Sequence, residues 1–497
     1  MKLKFVLIFL LFLNQIKAQQ RNPQDSGRQN YFSELKTAGK LFADDFYPNY
    51  AKFYALTEKK FVIKIDSVRE GFNAILNKFE HALAPDFVSV QRSEIKYYFD
   101  KLLIDYPLTH YIYTGKKSKK KSSIHEIMKG NLIALNKPEL LGNSDYFNYV
   151  KSFFSYETHI ELKHPIYRSL DNQHLNAVWK LIPQFISNPK CQDFWKAEYL
   201  YNHIDNNGIK NIQSIYEDFI STCEDSVLLK KVADVYSEDF EGRRGHLIKT
   251  YKTVGDFDLD MHIFLPESLM KDKKRQVIVY FHGGSWSEGK PDWFFSACES
   301  YAKKGWVACA VEYRTYGRHG TLPFASVMDA KSAIRWLRKH SMEYNIDPDK
   351  IVASGNSAGG HLVLCAALAD KWNEKTDDLK FSPVPNVLMI NSGVYDLTDQ
   401  NTAWIRKDLK NKDLVREISP NYLVKKTMPP TLIIHGSEDR NVPYSTAQKF
   451  VEEMTKAGNT TIDFHTLKGA EHFIWFDPKY SSEVSKLRTE FLNRLEY

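Results

Sequence analysis

The sequence predicts an α/β fold, a mostly parallel sheet flanked by helices across residues 243–497, preceded by a mainly α-helical domain at residues 19–242. Three observations support this division. Before Gly242 the apolar residues recur at helical spacing, whereas after it come short apolar runs at 277–281, 307–311, 351–353, 387–390 and 432–434. These runs lack polar alternation, as strands buried on both faces do. Between them lie helical stripes such as 326–340, with apolar Ala330, Ala333, Ile334 and Leu337. Strands alternating with helices imply parallel pairing through right-handed crossovers.

In the helical half, Leu175, Val178, Trp179, Ile182, Phe185 and Ile186 follow the i, i+3, i+4, i+7 pattern, and Pro183 should kink or split that helix. Phe194, Tyr201 and Ile204 continue onto a second helix, which Asn206, Asn207 and Gly208 terminate. Ile209, Ile212, Tyr216, Phe219 and Ile220 make a third stripe. Such stripes are packing surfaces. Lys116, Lys117, Lys119, Lys120 and Lys121 form a basic cluster without interleaved stacking residues, which reads as a solvated loop. The role of residues 19–242 is not legible from these features.

With 497 residues, 43% of them hydrophobic, the chain has material for a large core, which excludes intrinsic disorder. Lys plus Arg at 68 against Asp plus Glu at 61 leaves +7, too modest an excess for a dedicated nucleic-acid binder. Lys2 and Lys4 precede the apolar run 5–13, and polar Asn14, Gln15 and Lys17 lead to Ala18, the layout of a cleavable signal peptide at residues 1–18. That run reaches only about 14 Å as a helix, short of the roughly 30 Å hydrocarbon core, so no membrane span is expected. Cysteine first occurs at Cys191, so no thiol near the cleavage point can take a lipid anchor. The expectation is a secreted or periplasmic protein starting near Gln19. Five cysteines (Cys191, Cys223, Cys298, Cys309 and Cys365) leave at least one unpaired; Cys191 and Cys223, on neighbouring helices, are candidates for a bridge.

The strongest chemical signal is Gly355-Asn356-Ser357-Ala358-Gly359, between the buried run 351–353 and a helical stretch at 361–368. A sharp strand-to-helix turn needs small residues two positions either side of the serine, whose hydroxyl it presents at the sheet's carboxyl edge. His282-Gly283-Gly284-Ser285-Trp286 directly follows the run 277–281. Acyl transfer builds negative charge on a carbonyl oxygen, and the N–H groups of Gly283, Gly284 and Ala358 are candidate donors to it. A serine needs a base, and the base an orienting carboxylate. Asp439 sits in a turn after the run 432–434, and His472 in a loop after a strand at 461–467. Glu438 rivals Asp439, and His435 and His282 rival His472. Trp286 and Phe473 are candidate substrate contacts. No metal or organic cofactor is needed for this chemistry.

From about Tyr251 to Glu496 the chain resembles α/β-hydrolase serine esterases of the hormone-sensitive-lipase-like and bacterial acetylxylan or feruloyl esterase type. The resemblance rests on His282 to Trp286, Glu312-Tyr313-Arg314, Asp329-Ala330-Lys331, Ile334-Arg335-Trp336, Ile346-Asp347-Pro348, Gly355 to His361, Pro429-Pro430-Thr431 and the turns bearing Asp439 and His472. The chain order Ser357, Asp439, His472 is also that of this family. It implies hydrolysis of a small acyl ester or an acylated polysaccharide, with acetyl or feruloyl groups on plant-wall carbohydrate as the substrates it suggests. Ser285 replaces the third glycine of lipase-like members, and His-Gly-Gly-x-Trp also occurs in formamidases. A prolyl-oligopeptidase-like peptidase shares fold and residue order, and a binding protein on a catalytically dead scaffold is a further alternative.

Overall fold

The computed structural model describes residues 26–118, 123–267 and 274–497. The expected signal peptide, and Lys119, Lys120 and Lys121 of the basic cluster, lie outside them. Among the described residues no helix is long and apolar enough to cross a membrane.

The chain divides into two compact units. Among the described residues, one holds those up to His164 together with Asn176–Glu198 and Thr222–Leu228. It is helical, with long helices at Ser26–Phe46, Glu58–Phe79, Pro85–Thr114 and Ser144–Glu161. Pro85–Thr114 begins with proline at its first turn, where no N–H is needed, and ends on Gly115, whose φ of 70° is left-handed. Its core is aromatic: Tyr31, Phe46, Tyr54, Phe61 and Tyr106 are all buried. The helix Gln173–Phe185 stops two residues after Pro183, so the proline ends the helix and does not split it. All five cysteines are free and buried, and Cys191 and Cys223 do not pair.

The second unit is an α/β sheet domain. Its strands are β1 (Leu247–Val254), β2 (Phe257–Phe264), β3 (Arg275–Phe281), β4 (Val307–Val311), β5 (Ile346–Asn356), β6 (Val387–Asn391), β7 (Thr431–Gly436) and β8 (Ile462–Leu467). They form one sheet in the order β1-β2-β4-β3-β5-β6-β7-β8. From β4 to β8 every pairing is parallel; β1 and β2 add an antiparallel edge. Alternate residues of β3 explain the unbroken apolar run. Val277, Val279 and Phe281 belong to one core, facing α2 (Pro323–Lys339) and α3 (Ala358–Leu368), and Ile278 and Tyr280 to the other, facing α1 (Phe295–Lys303) and α4 (Ser481–Arg494).

This unit also claims Pro165–Leu175, Tyr199–Ser221 and the chain from Leu229 onward, so its extent departs from the expected boundary at Gly242. Buried charge explains why. Arg318 bonds both Glu312 and Asp171, the latter at 2.5 Å. Lys210 reaches Asp260 at 2.6 Å and Glu312 at 2.9 Å. Burial alone would raise the Glu312 carboxyl, but Arg318 and Lys210 hold it well below the usual carboxylate range. Asn206 O accepts the Gly289 N–H at 2.9 Å, which ties a third early residue to the loop after β3. Arg318→Ala leaves Glu312 and Asp171 buried without their main cation and is expected to cost about 3–5 kcal/mol of stability. Lys210→Ala, which leaves the Arg318 pairs in place, should cost less; thermal denaturation of both variants checks the order.

Candidate active site

The catalytic candidates converge on the carboxyl edge of the parallel strands, where open α/β sheets place their ligand crevice. Ser357 links β5 directly to α3 and takes φ 54°, ψ −120°, a left-handed conformation that a non-glycine residue adopts at a cost of order 1–3 kcal/mol. The glycines on either side are sterically required. A Cβ on Gly359 would lie 1.9 Å from Phe281 O, and one on Gly355 would lie 2.4 Å from Gly359 C. The turn is pinned by Ser357 N–H donating to Asn391 O at 3.0 Å and by the Asn391 side chain donating to Asn356 Oδ1 at 2.9 Å.

Gly283 lies against this turn: a Cβ built on it would sit 3.4 Å from Ser357 Cβ. Gly284 has φ 99°, and a side chain there would meet Glu288 O at 2.0 Å. Among the described residues, the N–H groups of Gly283, Gly284 and Ala358 have no acceptor. Ala358 is the first residue of α3, so its N–H is one of the helix's unsatisfied donors. Two groups hold the glycine pair in place. Tyr313 Oη–H donates to His282 O at 2.8 Å and lies within 3.1 Å of Gly283 O. The His282 ring stacks on Tyr313 with centroids 4.1 Å apart and donates from Nδ1 to Gly283 O. Burial pushes the His282 pKa down to about 4, so this imidazole is neutral and structural.

The acid and base candidates meet directly. Asp439 Oδ2 accepts from His472 Nδ1 at 2.7 Å, which leaves Nε2 as the free acceptor a base requires. The two turns are fastened by Glu438 N–H to Ala470 O at 2.9 Å and Ser437 N–H to Leu467 O at 3.0 Å. Glu438 itself is exposed, whereas Asp439 is buried. His435, wholly buried, places Nε2 3.2 Å from the same Asp439 oxygen and 3.1 Å from Val442 O, so it supports the acid. Asp439 Oδ1 takes the N–H groups of Asn441 and Val442 at 2.9 and 2.8 Å. Burial would raise this carboxyl, but bonds to His435 and His472 bring its pKa down to about 2. Ser357 Oγ has no hydrogen-bond partner among the described residues.

The two candidate substrate contacts differ. Trp286 is 2% exposed and donates from Nε1 to His361 Nδ1 at 3.3 Å, so it braces the glycine loop against α3 and offers substrate little surface. Phe473 is 48% exposed beside His472, with ring centroids 5.1 Å apart. Tyr313, His361 and His435 are supports the sequence reading did not assign. The position of Tyr313 two residues past β4, which pairs with β3, was the available signal for one of them.

The BD-FAE family model matches residues 261–454. Esterase LipQ of Mycobacterium tuberculosis is 27% identical over 228 residues, 43% of this chain and 53% of that protein. Esterase LipC of the same organism is 27% identical over 244 residues, 46% of this chain and 60% of that protein. The chain thus spans little more than half the length of these relatives. The apo form of Thermogutta terrifontis esterase 2 aligns at 34% identity over 51% of this chain and 96% of that one, with a TM-score of 0.47. The sheet order and the strand–serine–helix turn give the C-terminal unit an α/β-hydrolase fold, and the curated proteins it is similar to are named esterases.

The Asp439 carboxyl titrates lower in the folded protein than in the unfolded chain, so the unfolded chain takes up the proton first as pH falls. Its contribution, about 2 kcal/mol for a shift from 3.8 to about 2, is present above pH 4 and is lost as pH falls toward 2. Denaturant unfolding of the protein and of Asp439→Asn should therefore show a stability gap that narrows across that window.

Proposed function

We propose that the protein is an exported serine carboxylesterase in which Ser357 is the nucleophile, His472 the general base and Asp439 the group that fixes the imidazole tautomer. The observation that carries this reading is the His472–Asp439 bond at the same sheet edge as the left-handed Ser357 turn and its neighbouring open glycines. Ser357 Oγ attacks the ester carbonyl while His472 Nε2 takes its proton. The N–H groups of Gly283, Gly284 and Ala358 receive the charge on the carbonyl oxygen. His472 returns the proton to the departing alcohol, and water then cleaves the acyl-serine by the same steps in reverse roles. The exposed Phe473 ring flanks the leaving group beside His472. Curated relatives named esterases support the reaction class, and the leader-like residues 1–18 support export. Acetyl or feruloyl groups on plant-wall carbohydrate are the substrates this reading favours.

Hydrolysis of p-nitrophenyl acetate is expected for the protein starting at Gln19, with Ser357→Ala and Asp439→Asn each lowering kcat/KM by about 10³-fold or more. A fluorophosphonate should label Ser357, and a prolyl p-nitroanilide should not be cleaved. Acetate and ferulate release from acetylated and feruloylated xylan then assigns the acyl group. Equal turnover by the Ser357→Ala variant would remove the nucleophile assignment.

A further inference from the structure

Beside the glycine loop lies a cluster that the reaction does not use. Lys407 Nζ donates to Tyr316 Oη at 2.9 Å and lies 4.6 Å from the centre of the same ring. Trp404 is 5.5 Å and His174 5.1 Å from that ring, centroid to centroid, and all four residues are half-buried. No carboxylate pairs with Lys407 among the described residues. His174 donates from Nδ1 to Gly317 O at 3.0 Å, and burial pushes its pKa down to about 4.

The cluster is fastened to the catalytic loop. Tyr316 N–H donates to Trp286 O and Gly317 N–H to Ser287 O, both at 2.8 Å. Trp286 is two residues beyond Gly284, a span of at most about 7 Å of chain. Lys407 and Trp404 come from the segment between β6 and β7, which leaves the sheet at its carboxyl edge. A half-buried ammonium without a counter-ion is costly, and a lysine keeps three N–H donors of which Tyr316 Oη occupies one. The Tyr316 ring adds cation–π attraction but does not neutralise it. The missing partner is an anion.

We propose that Lys407, with Tyr316, Trp404 and His174, binds a carboxylate carried by the substrate, so that the protein prefers esters bearing a negative charge near the scissile bond. This rests on the esterase reading of the same site and goes beyond it by naming the charge of the substrate.

The test compares matched charged and neutral esters: 4-acetoxybenzoate against its methyl ester, with the charge on the leaving group, and monophenyl adipate against phenyl methyl adipate, with the charge on the acyl side. For at least one pair, the charged-to-neutral ratio of kcat/KM should fall about ten-fold in Lys407→Met and recover in part in Lys407→Arg. An unchanged ratio in both pairs overturns the proposal. If neither the charged nor the neutral esters are turned over, the esterase reading fails on its own. Calorimetric titration of 4-hydroxybenzoate into Ser357→Ala and into Ser357→Ala/Lys407→Met then decides: about ten-fold weaker binding in the double variant supports the anion site, and equal or absent binding in both overturns it.

Discussion

The close backbone approach of the β5–α3 turn to the end of β3 is the constraint on which the site depends. A Cβ on Gly359 would stand 1.9 Å from Phe281 O, so α3 can start where it does only because that residue has no side chain. The approach brings Ser357 into its left-handed conformation and sets the unsatisfied N–H groups of α3 opposite Gly283. Parallel pairing in register, Phe281 with Gly355 and Gly355 with Ile390, carries the same alignment across to the Asp439 and His472 turns. The strain at Ser357 is compensated by the bonds through Asn391 and by two buried cores that fix both faces of the strands.

Around this centre, several buried polar groups hold the site through their partners. Tyr313 and His282 hold the glycine loop, His361 and Trp286 hold its far side, and His435 shares the acid with His472. The ion-pair network of Arg318, Glu312, Asp171 and Lys210 does the same over longer sequence distances. Such networks add little net stability but are costly to break at any one member, which favours a unique placement of the loops they join.

Much of this was legible in the sequence because it depends on local steric rules. The core strands declare themselves as runs without polar residues, and a glycine-flanked serine between strand and helix admits few structures. The edge strand at 461–467 was identified, but the antiparallel pair β1 and β2 was not. Yet 257–263 alternates Phe, Asp, Leu, Asp, Met, His, Ile, the period of a half-exposed strand, and that signal was there to be read. The extent of the sheet domain was not legible, because Asp171 and Arg318 are 147 residues apart and nothing local in either announces the other. Trp286 shows the same limit: its place beside the glycines is local, but whether its ring turns toward substrate or toward His361 is decided by α3.

The five thiols have a consequence for how the chain matures. Each is buried and unpaired, and burial pushes every one of them above the ordinary thiol pKa, away from the reactive thiolate. A fold assembled this way draws no stability from oxidation and presents little to thiol exchange once folded. Its native state is indifferent to the redox poise of the compartment that holds it, and the vulnerable interval is confined to the time before each thiol is buried.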